Sequence, residues 1–312
     1  MLKRFRRKGL AVFLALVALT VVTLWATAGT SASPKSAKAI TIKLGTKDFT
    51  EEYVLGQLYK QALEAKGVNV EYKENIGGTE IIQTSLRSGK INSYPEYVGE
   101  IVQTAYHRDT KLPKTARGWW ALAKKLLKAD GYFLTAPTPF FDVDAIAVRK
   151  KDATKYKLKS LWDLKRLQNS KKRPKNFSIG ARPEFKARQQ GFAGMKRVYG
   201  LKKLKYVSIA NGLTYQALDQ KKVFCINVFS TDAAISSGKY KVLKDPKLIF
   251  GVQNVAVILK NNVATTLVKK TIDAVSKKLS QKAILAMNKA TQINKQSPAS
   301  VADKFLRANG LK

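Results

Sequence analysis

His107 is the only histidine and Cys225 the only cysteine among 312 residues. The side chains that most often activate nucleophiles or bind transition metals are therefore nearly absent. His107 is followed by Arg108 and Asp109 in a polar stretch and reads as an exposed loop residue. Cys225, inside the apolar run 222–229 (KVFCINVF), has no partner for a disulfide and reads as a buried strand residue. The sequence carries no HExxH, cysteine cluster, GxSxG, P-loop or GxGxxG. Gly77, Gly78 and Thr79 open a helical pattern whose bare N–H groups could meet an anion, although glycines there serve a tight turn equally well. No spacing singles out a pair of catalytic carboxylates. General acid–base and nucleophilic schemes lack their usual residues, so no enzyme activity, metal or cofactor is expected.

The elements that would position these residues alternate in type. Strand-like runs at 40–44, 68–72 and 91–94 alternate with helical patterns at 50–66 and 79–88. A second series places strands at 144–148, 177–179, 206–209, 223–228 and 254–259. Ser160, with Asp163 three residues on, reads as a capping box for a helix through Leu167. Helical patterns at 265–279, 281–290 and 298–308 end the chain. Such alternation predicts parallel strands with crossover helices, in two α/β units that each bury a core.

The first residues differ from the rest. Lys3, Arg4, Arg6, Arg7 and Lys8 precede an apolar run from Leu10 to Trp25. That run is shorter than the about 20 residues a spanning helix needs, and small residues follow it. Residues 1–32 are expected to be an export signal, and the Ser/Ala/Lys-rich stretch 33–39 a linker. No cysteine stands behind the apolar run to take a lipid, so the exported chain is expected free in the periplasm or at the outer face of the cytoplasmic membrane. Lys and Arg number 58 against 21 Asp and Glu, a formal charge of +37. The lysines are scattered and lack aromatic interleaving, which argues against nucleic acid and suits an anionic envelope surface.

Several short motifs bear a joint likeness. They are residues 45–51 (GTKDFTE), 55–59 (LGQLY), 76–79 (IGGT), 91–99 (INSYPEYVG), 183–185 (PEF) with Arg188 and Gly191, 198–200 (VYG), 213–218 (LTYQAL) and 229–232 (FSTD). From about residue 40 to the carboxyl terminus the chain resembles the substrate-binding proteins of quaternary-ammonium (glycine betaine, choline, carnitine) ABC importers. The resemblance implies a bilobal, type II periplasmic-binding-protein-like α/β fold, with two parallel-sheet lobes, a hinge and a ligand cleft between them. Residues 40–143 with 253–312 would form the first lobe and 144–252 the second. It implies a monomer that delivers an osmolyte to a membrane permease, without nucleic acid. An extracellular sensor of a small cationic metabolite, not coupled to transport, is the alternative.

A quaternary ammonium has no N–H to donate, so such proteins surround it with aromatic faces, whose negative potential attracts a methylated cation. The positions matching the family's cage are Tyr97, Tyr215, Phe229 and Asp144, with Thr79 from the 76–79 motif also expected at the ligand. Arg188 and Lys47 match basic residues that meet a ligand carboxylate. Asp144 replaces a cage tyrosine and Glu100 a frequent threonine. Both add negative charge, which favours choline or another amine over plain glycine betaine.

Overall fold

The computed structural model describes residues 40–251 and 253–312. The expected export signal and linker lie outside the described residues. In the first lobe β1 (Thr41–Gly45), β2 (Asn69–Lys73), β3 (Ser93–Tyr97), β4 (Tyr132–Leu134) and β10 (Val255–Lys260) form a sheet in the order β2-β1-β3-β10-β4. The helix α1 (Thr50–Glu64) covers it, burying Val54, Leu55, Leu58, Tyr59, Ala62 and Leu63 on one stripe. Each of the Val and Leu side chains contributes about 1.5–3 kcal/mol when fully buried. The carboxyl-terminal helices Thr266–Lys278, Gln281–Gln292 and Pro298–Ala308 close over α1, adding Ile272, Ile284 and Leu306 to the same core.

In the second lobe β5 (Asp144–Arg149), β6 (Ser178–Ala181), β7 (Lys205–Ser208), β8 (Cys225–Phe229) and β9 (Tyr240–Leu243) form a sheet in the order β7-β6-β8-β5-β9. Cys225 is buried in its middle, and burial pushes its thiol pKa up. Ser160 and Asp163 form the expected capping box on the helix Leu161–Gln168.

Both sheets are mixed rather than parallel. β1 runs parallel to β2 and β3, but β10 runs antiparallel to β3 and β4. Likewise β6 runs parallel to β7 and β8, while β5 runs antiparallel to β8 and β9. The reversed strands are the two by which the chain enters a sheet from the other lobe. Such a strand needs no helical crossover on its own sheet, so parallel pairing is not imposed on it. Among the described residues no helix is long and apolar enough to cross a membrane.

Candidate functional site

Ligands of open α/β sheets sit beyond the carboxyl ends of parallel strands, and both lobes turn those ends toward each other. The turn after β1 carries Lys47, Asp48 and Phe49 into α1. A turn through Gly77, at φ 134°, where a side chain would be strained, leads into α2 (Thr79–Arg87) with Thr79 as its first residue. β3 ends at Tyr97, and Glu100 lies one turn beyond. Across the cleft, β6 runs out to Arg182, Glu184 and Arg188, and β8 ends at Phe229. The antiparallel register sets Asp144 opposite Phe229, and Val255 opposite Tyr97. The resulting cleft is narrow, with an enclosed volume of about 30 Å³, and Gly78, Asp142, Asn211 and Gln253 also line it.

Three aromatic rings converge there. Phe49 of the first lobe stacks on Phe229 of the second at 4.8 Å between centroids, and lies 6.1 Å from Tyr97. Cations of the protein already cover the faces. The Lys47 ammonium sits 4.2 Å from the Tyr97 centroid and 5.6 Å from Phe49, and the Arg182 guanidinium sits 5.0 Å from Phe229.

Each of these cations is also paired. Lys47 Nζ meets Glu96 Oε1 at 2.5 Å. Arg182 donates to both Asp144 oxygens at 2.8 and 2.9 Å and meets Glu184 at 2.9 Å. Arg188 reaches out of the second lobe to Glu80 at 2.9 Å and Glu100 at 3.1 Å. Gln190 crosses with it, donating to Glu100 at 2.7 Å and Thr104 at 2.8 Å.

Carboxylates outnumber these cations. Glu51, Glu52, Glu96 and Asp142 are all buried. Burial pushes the Glu52 pKa up to about 8, against the pull of Lys47. Burial, reinforced by the Glu51 and Asp232 charges, holds Asp142 well above the usual carboxylate range. Asp144 is the opposite case. Burial would raise its pKa, but the Arg182 charge and hydrogen bonds from Arg182 and Asn227 outweigh that and lower it.

Of the residues expected from the sequence, Tyr97, Phe229, Asp144, Arg188, Lys47 and Thr79 line this cleft together. Tyr215 does not. It lies in an adjoining chamber beyond the Phe49–Phe229 stack, donating to Asp232 at 3.0 Å and packing on Tyr240. The charge argued for Asp144 is neutralised by Arg182, a partner the sequence reading missed. Phe49, Asp48 and Asp142 were also missed, although Asp48 and Phe49 stand inside the motif 45–51 and Asp142 lies two residues before Asp144. Asn211 and Gln253 carry no local sequence signal; only the folding of two distant loops brings them here.

Two outcomes follow for stability. Asp144→Asn removes the charge that balances buried Arg182 and should cost about 3 kcal/mol in urea unfolding. Glu184→Gln, on the same arginine but more exposed, should cost about 1 kcal/mol or less. Equal losses would show that Asp144 is not the principal counter-charge. Glu52 makes the second case, because among the described residues its Oε1 has no partner and its Oε2 accepts only from the Lys47 N–H at 3.2 Å. Between about pH 4.5 and about 8 the native state holds a proton that the unfolded chain has lost. Stability should therefore fall as pH rises through that window. Glu52→Gln should flatten the fall by about one proton. Identical slopes in unfolding series at pH 5, 6.5 and 8 would mean that Glu52 is ionised in the native protein.

Residues 40–308 match the family model described as the substrate binding domain of ABC-type glycine betaine transport systems. A glycine-betaine-binding protein of Pseudomonas aeruginosa is 29% identical over 286 residues, covering 88% of this chain and 90% of that protein. An ergothioneine transport permease/ergothioneine binding protein, EgtU of Helicobacter pylori, is 27% identical over 272 residues, which are 86% of this chain and 47% of that protein. The solved structure of apo YehZ from Escherichia coli shares the fold with a TM-score of 0.60 at 25% identity, over 88% of this chain and 100% of that one. Its family is one of transport substrate-binding proteins rather than enzymes, and the chain belongs to it: it is a substrate-binding domain of the ABC-type glycine betaine transport systems.

Proposed function

We propose that this chain captures a small quaternary-ammonium cation, of choline type, in the cleft between its lobes and hands it to the permease of an ABC importer. The observation that carries this reading is the convergence of Phe49, Tyr97 and Phe229 on a cleft backed by an excess of carboxylates. Aromatic faces attract a methylated cation that ordinary hydrogen bonds cannot hold. The charge pattern supports a cation over a zwitterion. Among the described residues lining the cleft, the cations Lys47, Arg182 and Arg188 all have carboxylate partners already. A ligand carboxylate would have to draw one of them away, whereas a ligand ammonium finds Asp142 lining the cleft without a salt-bridge partner among the described residues.

The segment 135–143 and the residues just before β10 carry the chain between the sheets, and we take them as the hinge, with 144–252 as the second lobe. Substrate-binding proteins of ABC importers work outside the cytoplasm, and closure of the lobes would form the surface that a permease meets.

Calorimetric titration tests the reading. Choline should bind more tightly than glycine betaine. Phe49→Ala, Tyr97→Ala and Phe229→Ala should each weaken choline binding by about 0.5–2 kcal/mol. Tyr215→Ala, in the adjoining chamber, should change it less. Unchanged affinity in all three cleft variants would remove the aromatic cage. A bound cation also lowers the pKa of the carboxyls beside it and expels their protons, so choline affinity should rise from pH 5.5 to 8. Titration in buffers of different ionisation enthalpy reads the protons released, and none released would mean that the acids are already ionised.

A further inference from the structure

Burial would lower the Lys47 pKa, but the charges of Glu96, Glu52 and Glu100 outweigh it and keep the ammonium charged. Its corner nevertheless leaves the N–H donors short of acceptors. A lysine ammonium is a strongly hydrated group with three N–H donors. Here it is 4% exposed and has one hydrogen-bond acceptor among the described residues, Glu96 Oε1. Its remaining surroundings include the faces of Tyr97 and Phe49, which accept a positive charge but offer N–H groups no strong acceptor. Glu96 itself is held in place by two further donors, the Tyr97 N–H at 2.8 Å and the Thr79 hydroxyl at 3.1 Å. One fixed carboxylate beneath two aromatic faces makes a cation seat whose lining matches a group without N–H donors better than it matches lysine.

We propose that Lys47 is a tethered competitor. Its ammonium fills the cation seat of Glu96, Tyr97 and Phe49 in the ligand-free protein, and a methylated ammonium binds by taking its place. This rests on the cation-binding reading of the same cleft and adds the residue that sets its threshold. A ligand that retains N–H donors would enter with the same mismatch as lysine and gain little from the exchange. A quaternary ammonium gains the aromatic faces without leaving donors unpaired, so Lys47 makes the seat selective for full methylation. The role differs from that of an anchor for a ligand carboxylate, and the two roles predict opposite outcomes when the lysine is lost.

The test uses the full chain with choline, ethanolamine and glycine betaine as probes. Lys47→Ala empties the seat and leaves Glu96, Tyr97 and Phe49 in place to receive the ligand. Choline affinity should rise about three- to thirty-fold, the span of a freed cation–aromatic contact. Lys47→Gln, which keeps a hydrogen bond to Glu96 but removes the competing charge, should also raise it. The preference for choline over ethanolamine should shrink in both variants. Far-ultraviolet circular dichroism and thermal unfolding establish that each variant is folded, and Lys47→Gln carries the test where Lys47→Ala is not. Loss of glycine betaine affinity in Lys47→Gln with choline unchanged would assign Lys47 to the ligand carboxylate instead. Choline bound by the wild type, but no more tightly by either variant, would overturn the tethered-cation proposal and leave the cation-binding reading standing. No binding by any of the three proteins would overturn both.

Discussion

A lysine and a glutamate brought together without water hold this site in shape. Removing either charge from water is costly, and only good geometry with further hydrogen bonds offsets that cost. Glu96 has both. One oxygen meets Lys47 and the Tyr97 N–H, and the other accepts the Thr79 hydroxyl. Thr79 also lies 3.2 Å from Glu100, which faces Arg188 and Gln190 of the other lobe. The turn after β1, the start of α2, the end of β3 and the loop after β6 are thus joined in one chain of charged contacts. Glu96 and Glu100 both lie within hydrogen-bond distance of the single Thr79 hydroxyl, which links the Lys47 pair to the contacts across the cleft.

The interior of the cleft and the outside of the protein carry opposite biases. The whole chain has a formal charge of +37, yet acidic groups dominate around Tyr97 and Phe229. At a distance the protein repels a cation, but salt at physiological strength screens that field within about 8 Å. Inside the cleft water is scarce and screening weak, so nearby carboxyls decide the local potential. The buried charge, rather than the net charge, therefore governs the potential that a group inside the cleft meets.

Much of this was legible in the sequence, and the failures have physical causes. Short β-like runs and helical periodicity located most elements of both lobes, since each must bury one face and so shows its period. The parallel sheet did not survive, because strand direction in β5 and β10 depends on where the chain comes from and leaves no mark on their residues. Motif positions identified Lys47, Thr79, Tyr97 and Phe229 as neighbours. Asp144 was placed in the cleft, but not its neutral state. Arg182, which neutralises it, lies 38 residues away and just before the motif at 183–185. Tyr215 shows the limit of that logic from the other side. A motif locates a residue on its helix, but the Phe49–Phe229 stack decides which chamber its ring faces, and rings in different lobes make that stack.

The same stack bears on how closure and capture are linked. Arg188 to Glu80 and Glu100, Gln190 to Thr104, Asn211 to Asp48, and Phe49 on Phe229 all join the lobes through the protein's own side chains. Contacts made equally with and without ligand set how often the protein closes, but they do not make closure respond to ligand. A ligand shifts that balance only by interacting differently with the open and closed forms. Phe229 comes from the second lobe, while Phe49, Tyr97, Lys47 and Glu96 come from the first. A cation in the seat of the first lobe therefore gains the Phe229 side of the cleft only on closing. Lys47, rooted in the first lobe, keeps its partners Glu96 and Tyr97 whether or not the lobes meet. Exchange of a tethered cation for a free one thus converts a contact indifferent to closure into one that depends on it, and this difference lets a bound ligand draw the lobes together.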